Sequence, residues 1–387
     1  MASDFSAKEP ALGYLHQIRY GLKLILVHPN KNASLFIEGM DDVSIETDDS
    51  LELHQTKLHV HSAANLTDAS PDLWKTLRIW SEKIRSAQII PEISLLNLVT
   101  TANASPNSIC FDLKADTLDD RDEEEISQAL VAVAQTSSNA ENKAAYEEFL
   151  KLQPEQQKLL VQSISIADAS VDLAGAKLEI LHTLKFAAVK TEPLFERLEG
   201  WFLDQVITQL IGKRGGITEK EVREKVLDIA DCLKVDNLPN DFNMPLTDDE
   251  TQLAAYQGQT FVKQLEAIGA NQKMVNCGIS DYHRAFSQKS RWLRDGLIEP
   301  LDEIEYHNKL REDWERKFAI ISDSPQLDGS EVQKNRGKAF YVTHYVDKCP
   351  DIHIKSRFKE QYMVTGCCHD LANSKKIGWH PDFQNLI

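Results

Sequence analysis

A chain of 387 residues, 42% hydrophobic and 27% charged, has the composition of an ordinary globular protein and room for two or three domains. Its net charge of −17 argues against a broad basic surface, so any grip on DNA must be local or come from another subunit. No apolar run approaches the roughly 20 residues that span a bilayer, and MASDFSAKEPALGYLH lacks the basic and apolar regions of a secretory signal. The scattered cysteines Cys110, Cys232, Cys277, Cys349, Cys367 and Cys368 are therefore expected as reduced thiols of a cytoplasmic protein.

From Gly13 to His28, Leu15, Ile18, Leu22, Ile25 and Leu26 recur at helical spacing, and Pro29 ends the pattern. Three short runs rich in β-formers follow: ASLFIEG, DVSIE and SLELHQTKLHV, separated by Gly39 and by the turn Asp48-Asp49-Ser50. Asn65 to Asp72 reads as a polar loop, LWKTLRIWSEKIRSA as a helix, ISLLNLVTTA as a strand and SICFDL as a further strand candidate. The acidic stretch DTLDDRDEEE opens a helix through ISQALVAVAQ, where the macrodipole favours negative charge. Ser137 to Asn142 is a linker candidate, and from Ala144 to Arg316 nearly everything reads as helix, broken at GKRGG and LPNDFNMP. The end of the chain, rich in His, Cys, aromatics and Pro, reads as a small separate module.

The segment LFIEGMDDVSIETDDSLELHQTKLH carries the candidate chemistry. Residues two apart on a strand face one side, so Gln55 and Lys57 project together, with the Thr56 carbonyl between them. If the second and third strands form a hairpin, Asp41 or Asp42 sits beside that pair, and Glu38 can reach the same end of the sheet. Oxygen ligands for a divalent ion next to a lysine suit phosphodiester cleavage. The plain alternative is a polar hairpin whose Lys57 is neutralised by a nearby acid.

Lys75, Arg78, Lys83 and Arg85 on the following helix read as a solvated face or as contacts to a DNA backbone. His54, His59 and His61 flank the strand, but strand histidines are more often structural than ligands. In the tail, Cys349, His353, Cys367, Cys368, His369 and His380 do not form the two short paired clips typical of structural zinc. A packed, partner-facing module is the expectation there.

Residues 13 to about 80 resemble the Cap4-type branch of the PD-(D/E)xK nucleases. The resemblance rests on Gly13-Tyr14-x-x-Gln17, Ile37-Glu38-x-x-Asp41-Asp42, Gln55-Thr56-Lys57, Leu66-Thr67-Asp68 and the run Asp72 to Trp80. The end of the chain resembles the C-terminal domain of the nuclease subunit of Lamassu, or ABC three-component, anti-phage systems. There it rests on His344-Tyr345-Val346-Asp347, Ile352-His353-Ile354, Gly366-Cys367-Cys368-His369 and Ile377-Gly378-Trp379-His380-Pro381.

The resemblance implies an α/β restriction-endonuclease-like domain over 1–140, a helical assembly and regulatory region over 141–330, and a complex-attachment domain over 331–387. It implies Asp42 as the metal-binding acid, with Asp41 its competitor, Glu38 as a further ligand, and Gln55 where most of the superfamily has a carboxylate. Lys57 becomes the catalytic lysine, Mg²⁺ or Mn²⁺ the cofactor, and Lys75 and Arg78 contacts to double-stranded DNA. The implied partners are an SMC/Rad50-like ATPase and a small third subunit, with homo-oligomerisation on activation. The competing expectation is a non-catalytic adaptor with a nuclease-like domain.

Overall fold

The computed structural model describes residues 7–59, 64–246, 253–322 and 330–386, and opens on helix α1 (Lys8–Val27). Its inner face carries His16, Gln17, Tyr20, Gly21, Leu22 and Ile25. A Cβ on Gly21 would lie 2.9 Å from the Ile37 side chain, so the glycine lets the helix close on the first strand.

The three β-rich runs form β1 (Ser34–Ile37), β2 (Val43–Glu46) and β3 (Leu51–Lys57). Thr47 donates its N–H to the Ser50 carbonyl at 3.0 Å and closes the β2–β3 hairpin. A short β4 (Asn65–Leu66) precedes helix α2 (Pro71–Arg85), whose Pro71 stands at the start, where no N–H is needed. ISLLNLVTTA supplies β5 (Ser94–Thr100), and β6 (Asn103–Ala104) pairs with β4.

SICFDL is not a strand: Ile109–Asp112 is a short helix, α3, and the Ser108 hydroxyl accepts the Phe111 N–H at 3.2 Å. That local cap outcompetes extended pairing. The acidic stretch behaves as expected, since Asp122 caps α4 (Glu123–Thr136), accepting the Glu125 N–H at 2.9 Å. The segment 137–142 is a packed corner, with Asn142 fully buried and donating to the Ala69 carbonyl at 2.9 Å.

Helices α5 (Lys143–Phe149) and α6 (Pro154–Ser163) follow, and then two short strands interrupt the nearly all-helical stretch. Ile164–Ala167 is a strand, β7, which leaves α6 without an intervening loop and pairs in parallel with β5. Beyond α7 (Leu173–Leu184) and α8 (Thr191–Leu210), Ile217–Thr218 forms β8 against β1. The six-stranded sheet has the order β7-β5-β3-β2-β1-β8, antiparallel from β8 to β3 and parallel from β3 to β7. Leu53, Leu96 and Leu98 share one core with Trp74, Trp80, Phe149 and Leu160. On the opposite face α1 contacts β1, β2 and β3 as well as α7 and α8.

The chain divides into two compact units, Met1–Asp228 and Ile229–Ile387, so the sheet-bearing unit runs well beyond residue 140. In the second unit the segment after residue 331 shares a core with helices from residue 260 onward. Phe358 packs edge-on against Trp292, with ring centres 4.8 Å apart, and the Trp314 indole donates to the Gly378 carbonyl at 2.9 Å.

The helices Gln272–Arg294 and Gln361–Asn373 pack against each other in that unit. A Cβ on Gly366 would stand 2.2 Å from the Asp281 carbonyl oxygen, a backbone atom that cannot swing aside. Gly366→Ala is expected to destabilise this unit by about 1–3 kcal/mol, the usual cost of overpacking. Chemical denaturation monitored by tryptophan fluorescence would read it. No helix among the described residues is long and apolar enough to cross a membrane.

Candidate active site

The β1–β2 register pairs Ile37 with Val43, and the ladder continues one step further, where the Glu38 N–H donates to the Asp42 carbonyl at 3.0 Å. The β2–β3 register ends at Val43 opposite His54, so the next step sets Asp42 opposite Gln55. Glu38, Asp42 and Gln55 thus occupy one row across three adjacent strands, with Lys57 two residues along β3. Glu38 has a positive φ of 52°, a conformation rare for a residue with a side chain. Strained backbone of this kind is common at functional sites.

Side-chain contacts separate the two adjacent aspartates. Asp41 is buried and both its oxygens are engaged: one accepts the Trp80 indole N–H at 2.7 Å, the other the Asp42 N–H at 3.1 Å. Burial pushes the Asp41 carboxyl up, against the pull of Trp80 and Lys83. Asp42 uses a single oxygen, Oδ2, which accepts the Thr56 N–H at 2.8 Å and the Thr56 hydroxyl at 3.0 Å. Its other oxygen has no protein donor among the described residues.

Glu38 is drawn into the same group. Burial first, then the charges of Asp42 and Asp41, push its carboxyl up, while the Gln17 amide and the Lys57 ammonium pull it down. Gln55 is only 5% exposed, yet its side-chain amide makes no hydrogen bond among the described residues. Lys57, half-buried at the end of β3, has no salt-bridge partner there either, so the neutralised hairpin is not what forms.

The donors are all hard oxygens, from Asp42, Glu38 and Gln55, a set that suits Mg²⁺ or Mn²⁺ better than zinc. The carboxylates are not drawn into a tight cluster. Among the described residues, three His, Cys, Asp or Glu side chains have ligand atoms within 4.8 Å of one another only at Glu303, His307 and Asp370. There the Lys289 ammonium already sits among them, at 2.6 Å from Glu303, 3.2 Å from His307 and 3.2 Å from Asp370.

Other candidates have structural partners. Lys75 is exposed and paired with Glu141 at 2.7 Å, and Arg85 is paired with Glu148 at 2.9 Å, whereas Arg78 is exposed without a partner among the described residues. Lys83 lies within electrostatic reach of Asp41. His54 meets the Tyr20 hydroxyl at 3.2 Å, His59 meets Asp72 at 2.8 Å, and His61 lies outside the described residues. In the tail, Cys367, Cys368 and His369 are buried in one helix, while His353 pairs with Asp351 at 2.6 Å. Gln17, which stood in the Gly13-Tyr14-x-x-Gln17 motif, is buried on the inner face of α1, and its side-chain oxygen has no partner among the described residues.

Three adjacent strands thus bring Glu38, Asp42 and Gln55 into one row, with Lys57 two residues along β3 and without a salt-bridge partner among the described residues. Residues 261–387 match CTD7, C-terminal domain 7 of the ABC-three component (ABC-3C) systems. Among solved structures, the chain is similar to the Acinetobacter baumannii Cap4 SAVED/CARF-domain containing receptor, at 11% identity and a TM-score of 0.32, covering 70% of this chain and 60% of that one. The same receptor with the cyclic trinucleotide 2'3'3'-cAAA matches at 12% identity and a TM-score of 0.32, covering 72% and 66%. The chain therefore spans less than two thirds of those solved chains. No curated protein matches it.

Proposed function

We propose that the protein is a metal-dependent endonuclease for double-stranded DNA with a restriction-endonuclease-like sheet domain, and that it is the effector of an ABC three-component defence complex. The observation that carries this reading is the unpaired Lys57 beside the row Glu38, Asp42 and Gln55. The free oxygen of Asp42, the Glu38 carboxylate and the Gln55 amide oxygen would hold Mg²⁺ or Mn²⁺. The ion would polarise a phosphoryl oxygen and make its bound water a better nucleophile. Lys57 would stabilise the charge that develops at phosphorus, and the exposed Arg78 would contact the DNA backbone. The match of residues 261–387 to CTD7 supports partner subunits, which we read as an SMC/Rad50-like ATPase and a small third protein. Double-strand cleavage by one site per chain further favours a homo-oligomer.

One observation favours a second reading, a non-catalytic adaptor: Glu38, Asp41 and Asp42 do not converge as three ligands, and the fourth donor is a neutral amide. Plasmid DNA incubated with the purified chain and millimolar Mg²⁺, alone and with the two partner subunits, decides between them. The nuclease should linearise the plasmid in a reaction that EDTA stops. Intact plasmid in both mixtures would leave the adaptor.

A further inference from the structure

His59 and Asp72 form a side-chain pair that the proposed chemistry leaves idle. Leu53 of β3 shares a core with Trp74 and Trp80 of α2, whereas His54 turns the other way and meets the Tyr20 hydroxyl of α1 at 3.2 Å. Successive strand residues alternate, so Gln55 and Lys57 lie on the α2 face with Leu53. The extended chain runs on past the end of β3. The Thr101 N–H donates to the Lys57 carbonyl at 3.2 Å, and the His59 N–H donates to the Thr101 hydroxyl at 2.9 Å. His59 is therefore the next residue on the face of Lys57, about 7 Å further along the backbone. Its ring keeps that phase, because Nε2 lies 2.8 Å from Oδ2 of Asp72 in the first turn of α2.

A carboxylate only accepts, so Nε2 carries the proton of the neutral ring and Nδ1 is left as an acceptor. Nδ1 has no partner among the described residues, and the ring is partly exposed. A pair open to water adds little to stability. An imidazole nitrogen with a free lone pair, next on the strand face to an unpaired ammonium, is suited to proton transfer. We propose that His59 is a catalytic base of the candidate site and that Asp72 is its positioning residue. The proposal rests on the reading of Lys57 and its row as a site of phosphodiester cleavage. As the oxygen of a water molecule bonds to phosphorus, Nδ1 takes a proton from it. The bond from phosphorus to the leaving oxygen breaks, the electron pair stays on that oxygen, and solvent water protonates it. Asp72 holds the ring in the required tautomer and stabilises the imidazolium until its proton passes to solvent.

The test compares plasmid cleavage by the full chain, with its partner subunits and Mg²⁺, for the wild type, His59→Ala, Asp72→Asn and the double variant. His59→Ala should cleave about a hundredfold more slowly, the usual size of one general base. Added imidazole should restore part of that rate, because it can fill the gap and accept the proton, which a purely structural role would not allow. Asp72→Asn should also slow cleavage, yet add little once His59 is alanine, since it acts through that ring. Mn²⁺ affinity of His59→Ala, measured by calorimetry without DNA, should match the wild type, since His59 is not a ligand. Circular dichroism checks folding. If His59→Ala is not folded, His59→Gln takes its place and should be as slow, with no gap for imidazole to fill. Full-rate cleavage by the folded variant, a loss in His59→Ala that imidazole leaves untouched, or a matching loss of Mn²⁺ affinity would overturn the proposal. Failure of the underlying reading would look different: no cleavage by the wild type, or undiminished cleavage by Lys57→Ala.

Discussion

Lys57→Ala is expected to lower Mg²⁺-dependent DNA cleavage by about a hundredfold to a thousandfold, the usual cost of deleting one charge aimed at a developing oxyanion. The size follows from what the lysine is not doing. An ammonium consumed by a salt bridge would have a structural task, and its removal would leave a carboxylate stranded. Lys57 has no such partner among the described residues, although Glu38 lies within its electrostatic reach. Its deletion should therefore leave the fold and the second unit unaltered, and co-purification with the partner subunits should persist. Plasmid cleavage and a pull-down on the same preparation separate the two effects. Cleavage that survives in Lys57→Ala, still dependent on Mg²⁺, would remove this row from the chemistry altogether.

The largest effect on stability should come from Lys289→Met in the second unit. Lys289 is 4% exposed and its ammonium is shared by Glu303, Asp370 and the Nε2 of His307. Burial works against that charge, but Cys367, Glu303 and Asp370 outweigh it and hold the ammonium above its ordinary range. The buried Cys367 thiol is itself pushed up to about 12, so near neutral pH the two carboxylates do the holding. Stripping the cation from such a group costs several kcal/mol when its partners are buried. Here Glu303 and Asp370 keep 27% and 35% of their side chains in water, so a loss of about 3 kcal/mol is expected.

The same substitution should alter the response to acid. Burial and Lys289 push His307 down to about 4, so the unfolded chain takes up this proton first as the pH falls from the ordinary 6.5. Stability is lost across that window. With Lys289 gone, His307 should rise toward its ordinary value and the acid-side loss should shrink. Denaturant melts at pH 7 and pH 5 would show both changes. Equal melts for the two proteins at pH 7 would mean that Lys289 is not the keystone of that cluster.

The part of the fold most legible in the sequence is the part with strong local punctuation. Gly39 and the Asp48-Asp49-Ser50 turn mark off β1, β2 and β3, and the row of the candidate site follows from their register. Ile164–Ala167 was illegible because it leaves α6 with no turn residue between them, and only pairing with β5, far away in sequence, makes it a strand. The same cause hid the extent of the first unit. The choice between Asp41 and Asp42 could not be read from adjacent identical residues. It depends on Trp80, on a different element, which engages one of them and leaves the other. Gln17 was visible as a motif, but its burial depends on how α1 lies on the sheet.

Asp42 has two employments, and they can be dismissed separately. Its Oδ2 fastens the end of β3 by the Thr56 amide and hydroxyl, while its other oxygen is the one that the proposed site would offer to an ion. An alanine at this position would untie the strand end along with the ligand, so an inactive Asp42→Ala protein is ambiguous evidence for metal chemistry. Asparagine can keep its carbonyl oxygen on Thr56 and present an amide NH₂, which cannot ligate, where the second oxygen stood. The conservative substitution is thus the sharper knife at Asp42, because it would sever the proposed bond to the ion and leave the knot at the strand end tied.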